Sequence, residues 1–242
     1  MRIIPRIDIK NNYVIKGINL EGLRKIGDPK EIIENYSNEN ADEILIMDSV
    51  ASLYGRNNLF ELIKEITKEI FIPITLGGGI KSLNDIEAAL NSGADKVAIN
   101  SGAVENKNLI SKAAQTFGSS TIISSIEAKK INQNKWEPYI NCGREKTGLN
   151  LFDWIKKVQD DGCGEIILTS IDKEGTEDGF DIDLIESAYK IIYKPLILCG
   201  GCGSIDDVIY IKENFEDCSV SIASIIHYKK YKIKNIKEKL FL

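Results

Sequence analysis

The chain has 242 residues, 43% of them hydrophobic and 28% charged, and a net charge of −5. This is ordinary globular material, long enough to bury a sizeable core. The acidic balance offers no basic stripe to neutralise phosphates, which excludes a nucleic-acid or anionic-membrane partner while leaving small phosphorylated metabolites open to capture by backbone amides.

Short apolar runs alternate with segments of helical period. The runs predict strands at Arg2–Ile9, Glu43–Met47, Ile72–Leu76, Lys96–Ile99, Thr121–Ile126, Glu165–Thr169, Pro195–Leu198 and Val220–Ala223. Between them the period predicts helices at Lys30–Ser37, Asn58–Glu69, Leu83–Asn91, Lys107–Phe117, Leu151–Asp161, Ile182–Ile191, Ile205–Asn214 and Ile233–Lys239. The strands are nearly continuous apolar runs, as burial on both faces of a parallel sheet demands. Eight β/α units at this length predict a closed (β/α)8 barrel rather than a doubly wound open sheet. The first run also carries Arg6 and Asp8, so neither a secretory leader nor a membrane span fits it. Five scattered cysteines, an odd number, suggest a reducing compartment, and the expected address is the cytoplasm.

The chain repeats itself. Ile-Ile-Pro-Arg-Ile-Asp8-Ile-Lys10 recurs, half a chain later, as Ile-Ile-Ser-Ser-Ile-Glu127-Ala-Lys129. Asp42 to Asp48 answers to Gly164 to Ser170, and Gly78-Gly79 with Ser82 and Asp85 answers to Gly200-Gly201 with Ser204 and Asp207. Two equal halves, about 1–120 and 121–242, favour one closed barrel domain over residues 1–242.

In a barrel, residues at the C-terminal ends of the strands face the chemistry. Asp8 and Glu127 would then stand opposite one another, where two carboxylates can divide general-acid and general-base work; the plainer reading makes each acid a loop cap. Gly77-Gly78-Gly79 and Gly200-Gly201-x-Gly203 each precede a helix, so their backbone can cradle an anion. Asn100-Ser101-Gly102 and Ala223-Ser224 would complete two cradles, one for each end of a doubly phosphorylated substrate; the plainer reading is a pair of tight turns. At the strand starts, Arg2, Glu43, Lys96 and Glu165 are either solvated charges or a closed ring of ion pairs. Cys199-Gly-Gly-Cys202 carries little weight as a metal or redox motif, since no second cysteine pair or histidine cluster accompanies it, and His227, the only histidine, reads as structural. No metal or cofactor is expected.

Asp8-Ile-Lys, Val14-Ile-Lys16-Gly17, Gly27-Asp28-Pro29, Leu76-Gly-Gly-Gly-Ile80, Gly93-Ala-Asp-Lys-Val97, Gln115-Thr-Phe-Gly118, Leu168-Thr-Ser-Ile-Asp172 with Gly175-Thr176, and Ala223-Ser224 resemble the cyclase subunit of imidazole glycerol phosphate synthase. The resemblance runs from Arg2 to about Leu240. It implies a (β/α)8 barrel that takes ammonia from a partner glutaminase and acts on a bisphosphorylated formimino-ribulosyl aminoimidazole carboxamide nucleotide. Asp8 and Glu127 match the catalytic acids. Gly78, Gly79, Asn100, Ser101, Thr169, Glu174, Gly175, Gly200, Gly201, Ala223 and Ser224 match phosphate and substrate positions. Arg2, Glu43, Lys96 and Glu165 match the ring at the ammonia entrance, and Asp95 a position facing the glutaminase.

Some positions depart from the family pattern. Glu127 and Glu174 stand where it has aspartate, Cys142 and Cys199 where serines are usual, and the fifth βα loop, Lys129 to Lys146, diverges. Divergent relatives are associated with surface-polysaccharide pathways, which gives a second implied reading: a barrel that channels glutaminase-derived ammonia to a separate enzyme that amidinates a sugar.

Overall fold

The computed structural model describes residues 1–49 and 59–240. Its strands are β1 (Ile3–Lys10), β2 (Tyr13–Ile18), β3 (Glu21–Gly27), β4 (Ile44–Asp48), β5 (Ile74–Gly77), β6 (Lys96–Ile99), β7 (Ile122–Asn132), β8 (Lys135–Ile140), β9 (Glu145–Lys146), β10 (Glu165–Ser170), β11 (Leu196–Cys199) and β12 (Cys218–Ile222). Eight of these pair in parallel in the order β1-β4-β5-β6-β7-β10-β11-β12, and β12 pairs back onto β1. This is the closed (β/α)8 barrel that the apolar runs predict. Strand side chains alternate between two apolar layers. Ile4, Leu45, Ile123, Ile167 and Ile197 fill the barrel interior, while Ile3, Ile7 and Ile9 pack outward under the helices.

Most elements lie within two residues of their expected bounds. The helix expected at Lys107–Phe117 runs Leu109–Phe117 and is preceded by a separate turn, Ser101–Glu105; extended backbone at Asn106 breaks the two apart. The strand expected from Ile72 begins at Ile74, after Pro73, which has no N–H to give a ladder. The helix expected at Asn58–Glu69 is Leu59–Ile66, and residue 58 lies outside the described residues. No helix among the described residues is long and apolar enough to cross a membrane.

The larger correction concerns β2, β3, β8 and β9, none of which the apolar runs announce. Lys129 to Lys146, expected as a loop, is a three-stranded antiparallel excursion from the end of β7. A matching excursion, β2 and β3, leaves the end of β1. Asparagines make their turns: Asn11, Asn19 and Asn134 all adopt positive φ, as does Leu20 beside Asn19, the backbone that two-residue hairpin turns require. Trp136 of β8 is buried and meets Phe152 edge-on at 6.0 Å, which anchors the second excursion to the helix Leu151–Asp160. The duplication thus extends beyond the barrel to the hairpins that overhang it.

Both glycine-rich strand ends lead into helices with the same start. Ser82 caps Leu83–Asn91 and Ser204 caps Ile205–Asn214, each in a reciprocal capping box with Asp85 or Asp207. The acids at these two sequence positions therefore cap helix N-termini.

Candidate active site

Asp8 on β1 and Glu127 on β7 stand four strands apart in a ring of eight, on opposite sides of the axis at the mouth formed by the strand C-termini. Both are buried. Asp8 Oδ1 accepts a hydrogen bond from Arg6 Nε at 3.0 Å, and Glu127 Oε2 accepts one from the Gly143 N–H at 2.8 Å. Burial pushes the Glu127 carboxyl up to about 7, against the pull of the Arg6 charge and the Gly143 N–H. One acid is thus ion-paired and the other titrates near neutrality, a division suited to proton transfer in both directions.

The shift at Glu127 has a consequence for stability. Its folded pKa lies above the unfolded value, so the native state holds the proton more tightly, and this contribution is full below pH 4.5 and lost as pH rises through 7. The loss amounts to about 3 kcal/mol at most. Glu127→Gln keeps an oxygen for Gly143 and abolishes the titration. Urea melts should therefore show the variant gaining on the parent between pH 5 and 8; a difference that does not change with pH would contradict the assignment.

The two excursions cover this mouth. Lys16 on β2 and Glu174, in the chain that follows β10, form a fully buried ion pair. Burial opposes the Glu174 charge, but Lys16 and Arg6 outweigh it and hold its pKa below the usual value. Asn19 N–H donates to the Glu174 carbonyl at 2.6 Å, so the hairpin is tied by backbone as well. From the other side, Asn100 Nδ2 donates to the Tyr139 carbonyl at 3.1 Å, and Ser101 Oγ accepts from the Asn141 N–H at 3.0 Å.

Between the excursions lies a cavity lined by Asp8, Lys16, Gly78, Gly79, Asn100, Ser101 and Glu127, with exposed Lys81 and Arg144 at its rim. It unites both acids with the first glycine cradle and four cations, Arg6 among them. The second cradle lies outside its lining. There, a Cβ on Gly201 (φ 102°) would sit 2.1 Å from the Gly179 carbonyl, whose own N–H donates to the Gly201 carbonyl at 2.9 Å. Gly175 approaches the Gly17 carbonyl as closely. Gly201, with Gly200, Ala223 and Ser224 beside it, admits the backbone of the chain that follows β10, and Gly175 lets that chain pack against β2. Thr169 is likewise engaged, accepting from Arg6 Nη1 at 3.3 Å.

At the opposite mouth the four strand-start charges close into a ring. Arg2 pairs with Glu43 at 2.7 Å and with Glu165; Lys96 pairs with Glu43 at 2.9 Å and with Glu165 at 3.3 Å. Glu43 also accepts from Thr75 Oγ1 at 2.5 Å. Asp95 is exposed at this mouth, its Oδ2 accepting from the Ile74 N–H at 2.8 Å.

Motif reading assigned no role to Arg6, Lys16, Lys81 or Arg144. Arg6 carried a signal, since a charge two residues before Asp8 on a strand shares its face. Lys16 lies in the Val14–Gly17 motif, but its place and that of Arg144 depend on the overhanging hairpins. His227 is buried and lies outside the lining of this cavity; its Nδ1 lies 2.6 Å from the Tyr36 hydroxyl, and burial, with the Lys16 charge, lowers its pKa to about 4, so it stays neutral at pH 7.

The model of the histidine biosynthesis protein family matches residues 2–232. The imidazole glycerol phosphate synthase subunit HisF of Helicobacter hepaticus is 45% identical over 236 residues, which cover 98% of this chain and 93% of that protein. The subunit of the same name in Legionella pneumophila is 48% identical over 207 residues, 86% of this chain and 98% of that one. The Bacillus cereus subunit is 42% identical over 239 residues, 99% and 95% of the two chains.

Proposed function

The chain belongs to the histidine biosynthesis protein family, and from that premise we propose that it is the cyclase subunit of an imidazole glycerol phosphate synthase, working in the cytoplasm with a glutaminase subunit. Ammonia released by the glutaminase enters through the ring of Arg2, Glu43, Lys96 and Glu165, with Asp95 at the docking face. It travels along the barrel axis to the bisphosphorylated formimino-ribulosyl aminoimidazole carboxamide nucleotide and yields imidazole glycerol phosphate and aminoimidazole carboxamide ribotide. The observation that carries this reading is the alignment of the closed ion ring at one mouth with two opposed carboxyls at the other.

The residues divide the work as follows. Amides near Gly79 and Ser101, with Lys81, Arg144 and Lys16, hold one phosphate. Glu127, poised near neutrality, gives and takes the protons exchanged as ammonia adds and the ring closes, and Asp8 acts from the opposite wall. The second phosphate requires the chain that follows β10 to part from Gly201 at Gly179 and from Gly17 at Gly175. With a histidine-pathway glutaminase added, glutamine should support formation of imidazole glycerol phosphate; a stable complex that hydrolyses glutamine and forms no product would count against the reading.

Two observations favour a second reading. Asp8 is already ion-paired with Arg6, and the chain after β10 packs directly on Gly201 of the second cradle. Both suit a barrel that hands ammonia to a separate enzyme that amidinates a surface-polysaccharide sugar. Asp8→Asn would then leave glutamine-dependent amidination intact, while a broken entrance ring would not.

A further inference from the structure

β1 turns Ile4, Arg6 and Asp8 into the barrel at successive inward positions. Arg6 is 3% exposed. Besides its bond to Asp8, its Nη1 reaches Thr169 Oγ1 on β10 at 3.3 Å and Cys199 Sγ on β11 at 3.6 Å. β10 stands three strands from β1 in the ring of eight, so this side chain crosses most of the lumen. Burial opposes its charge, and Asp8, Cys199, Glu174 and Glu127 together outweigh that penalty, the last from the strand directly opposite. Its Nη2 donates to no partner among the described residues.

Above this bar lies the cavity, with Arg6 in its lining. Below it, Ile4, Leu45, Ile123, Ile167 and Ile197 form an apolar layer, and below that lies the ion ring. Polar groups enter this layer at Thr75, in register with Leu45, at Ser125, in register with Ile167, and at Ser221. Ser221, which pairs in register with Ile4 on one side and Cys199 on the other, has a buried hydroxyl with no hydrogen-bond partner. A buried hydroxyl without a partner is uncommon and carries a free-energy cost that a small polar guest would relieve.

We infer that Arg6 is a second gate on the axial passage: its guanidinium, held across the lumen by Asp8, Thr169 and Cys199, closes the floor of the cavity and swings aside for neutral ammonia resting at Ser221. The inference rests on the reading of the barrel as an ammonia passage. A permanent positive charge in a low-dielectric lumen repels ammonium, whereas neutral ammonia can accept a hydrogen bond from Nη2. The same bar keeps bulk water out of the apolar layer. The entrance ring and the bar thus enclose a chamber between two ionic closures.

Ile167→Cys tests this by placing a thiol one inward position below Thr169, inside the chamber. The purified chain is treated with methylmercury hydroxide, small and uncharged, and modification is mapped by peptide mass spectrometry. The reporter thiol should react at least about tenfold faster when Arg6→Ser is added, because closure is then no longer the step that limits access. Cys163, buried outside the barrel wall, serves as the control for global opening and should keep its rate. Arg6→Gln, shorter and uncharged but still able to donate to Asp8, should give an intermediate rate and serves if Arg6→Ser fails to fold. Equal reporter rates with and without Arg6 would overturn the gate. Failure of the ammonia reading would register separately, as absence of product from glutamine while the reporter still accelerates.

Discussion

Asp8→Asn is expected to lower kcat for ammonia-supported cyclisation by about 10²- to 10⁴-fold, the range that a positioned acid–base group supplies, with the far-UV circular dichroism unchanged. Asn keeps an oxygen where Asp8 accepts from Arg6 Nε, so the bar across the lumen has a partner and the barrel has no new cavity. What disappears is a charge and a proton site. Because Asp8 raises the pKa of Glu127, its removal should also move any limb of the pH–rate profile that reports Glu127 below its position near 7. Full turnover with a native spectrum would remove Asp8 from the chemistry.

Lys16→Met should cost about 3–5 kcal/mol, since it leaves Glu174 charged and buried without its partner. The double replacement Lys16→Met with Glu174→Leu should recover much of this, because two apolar groups remove both desolvation penalties. A double-mutant cycle in urea gives the coupling directly. The pH dependence has a definite sign: the folded pKa of Glu174 is depressed, so its contribution is present above the unfolded value near 4.5 and is lost as pH falls through the folded value. A single-variant loss below about 1 kcal/mol would match an exposed surface pair rather than a buried one, and the hairpin would then owe its position to the Asn19 backbone bond and to packing.

The barrel was legible because burial on two faces writes strands as unbroken apolar runs, and the half-chain repeat put Asp8 and Glu127 at equivalent strand ends. The ring of ion pairs was legible for the same reason, each charge standing at a strand start. The hairpins were not. Glu21–Gly27 is largely exposed and polar, so it leaves no alternating signal, and its turn depends on Asn19 and Leu20 taking positive φ. The second cradle shows the limit of reading glycines, since Gly201 is needed for close approach whether the neighbour is a phosphate or, as here, the Gly179 carbonyl. Strand alternation places Arg6 beside Asp8, but its partners Thr169 and Cys199 come from strands across the barrel, which a charge within an apolar run does not announce.

The most direct measurement supplies the isolated chain with the formimino-ribulosyl nucleotide and excess ammonium at high pH, where neutral ammonia can enter without a glutaminase. Substrate consumption with appearance of imidazole glycerol phosphate is the predicted result, and it would establish that glutamate at position 127 sustains the cyclase reaction. A well-folded chain that leaves the nucleotide unchanged would contradict the cyclase assignment and direct attention to a separate acceptor for the ammonia.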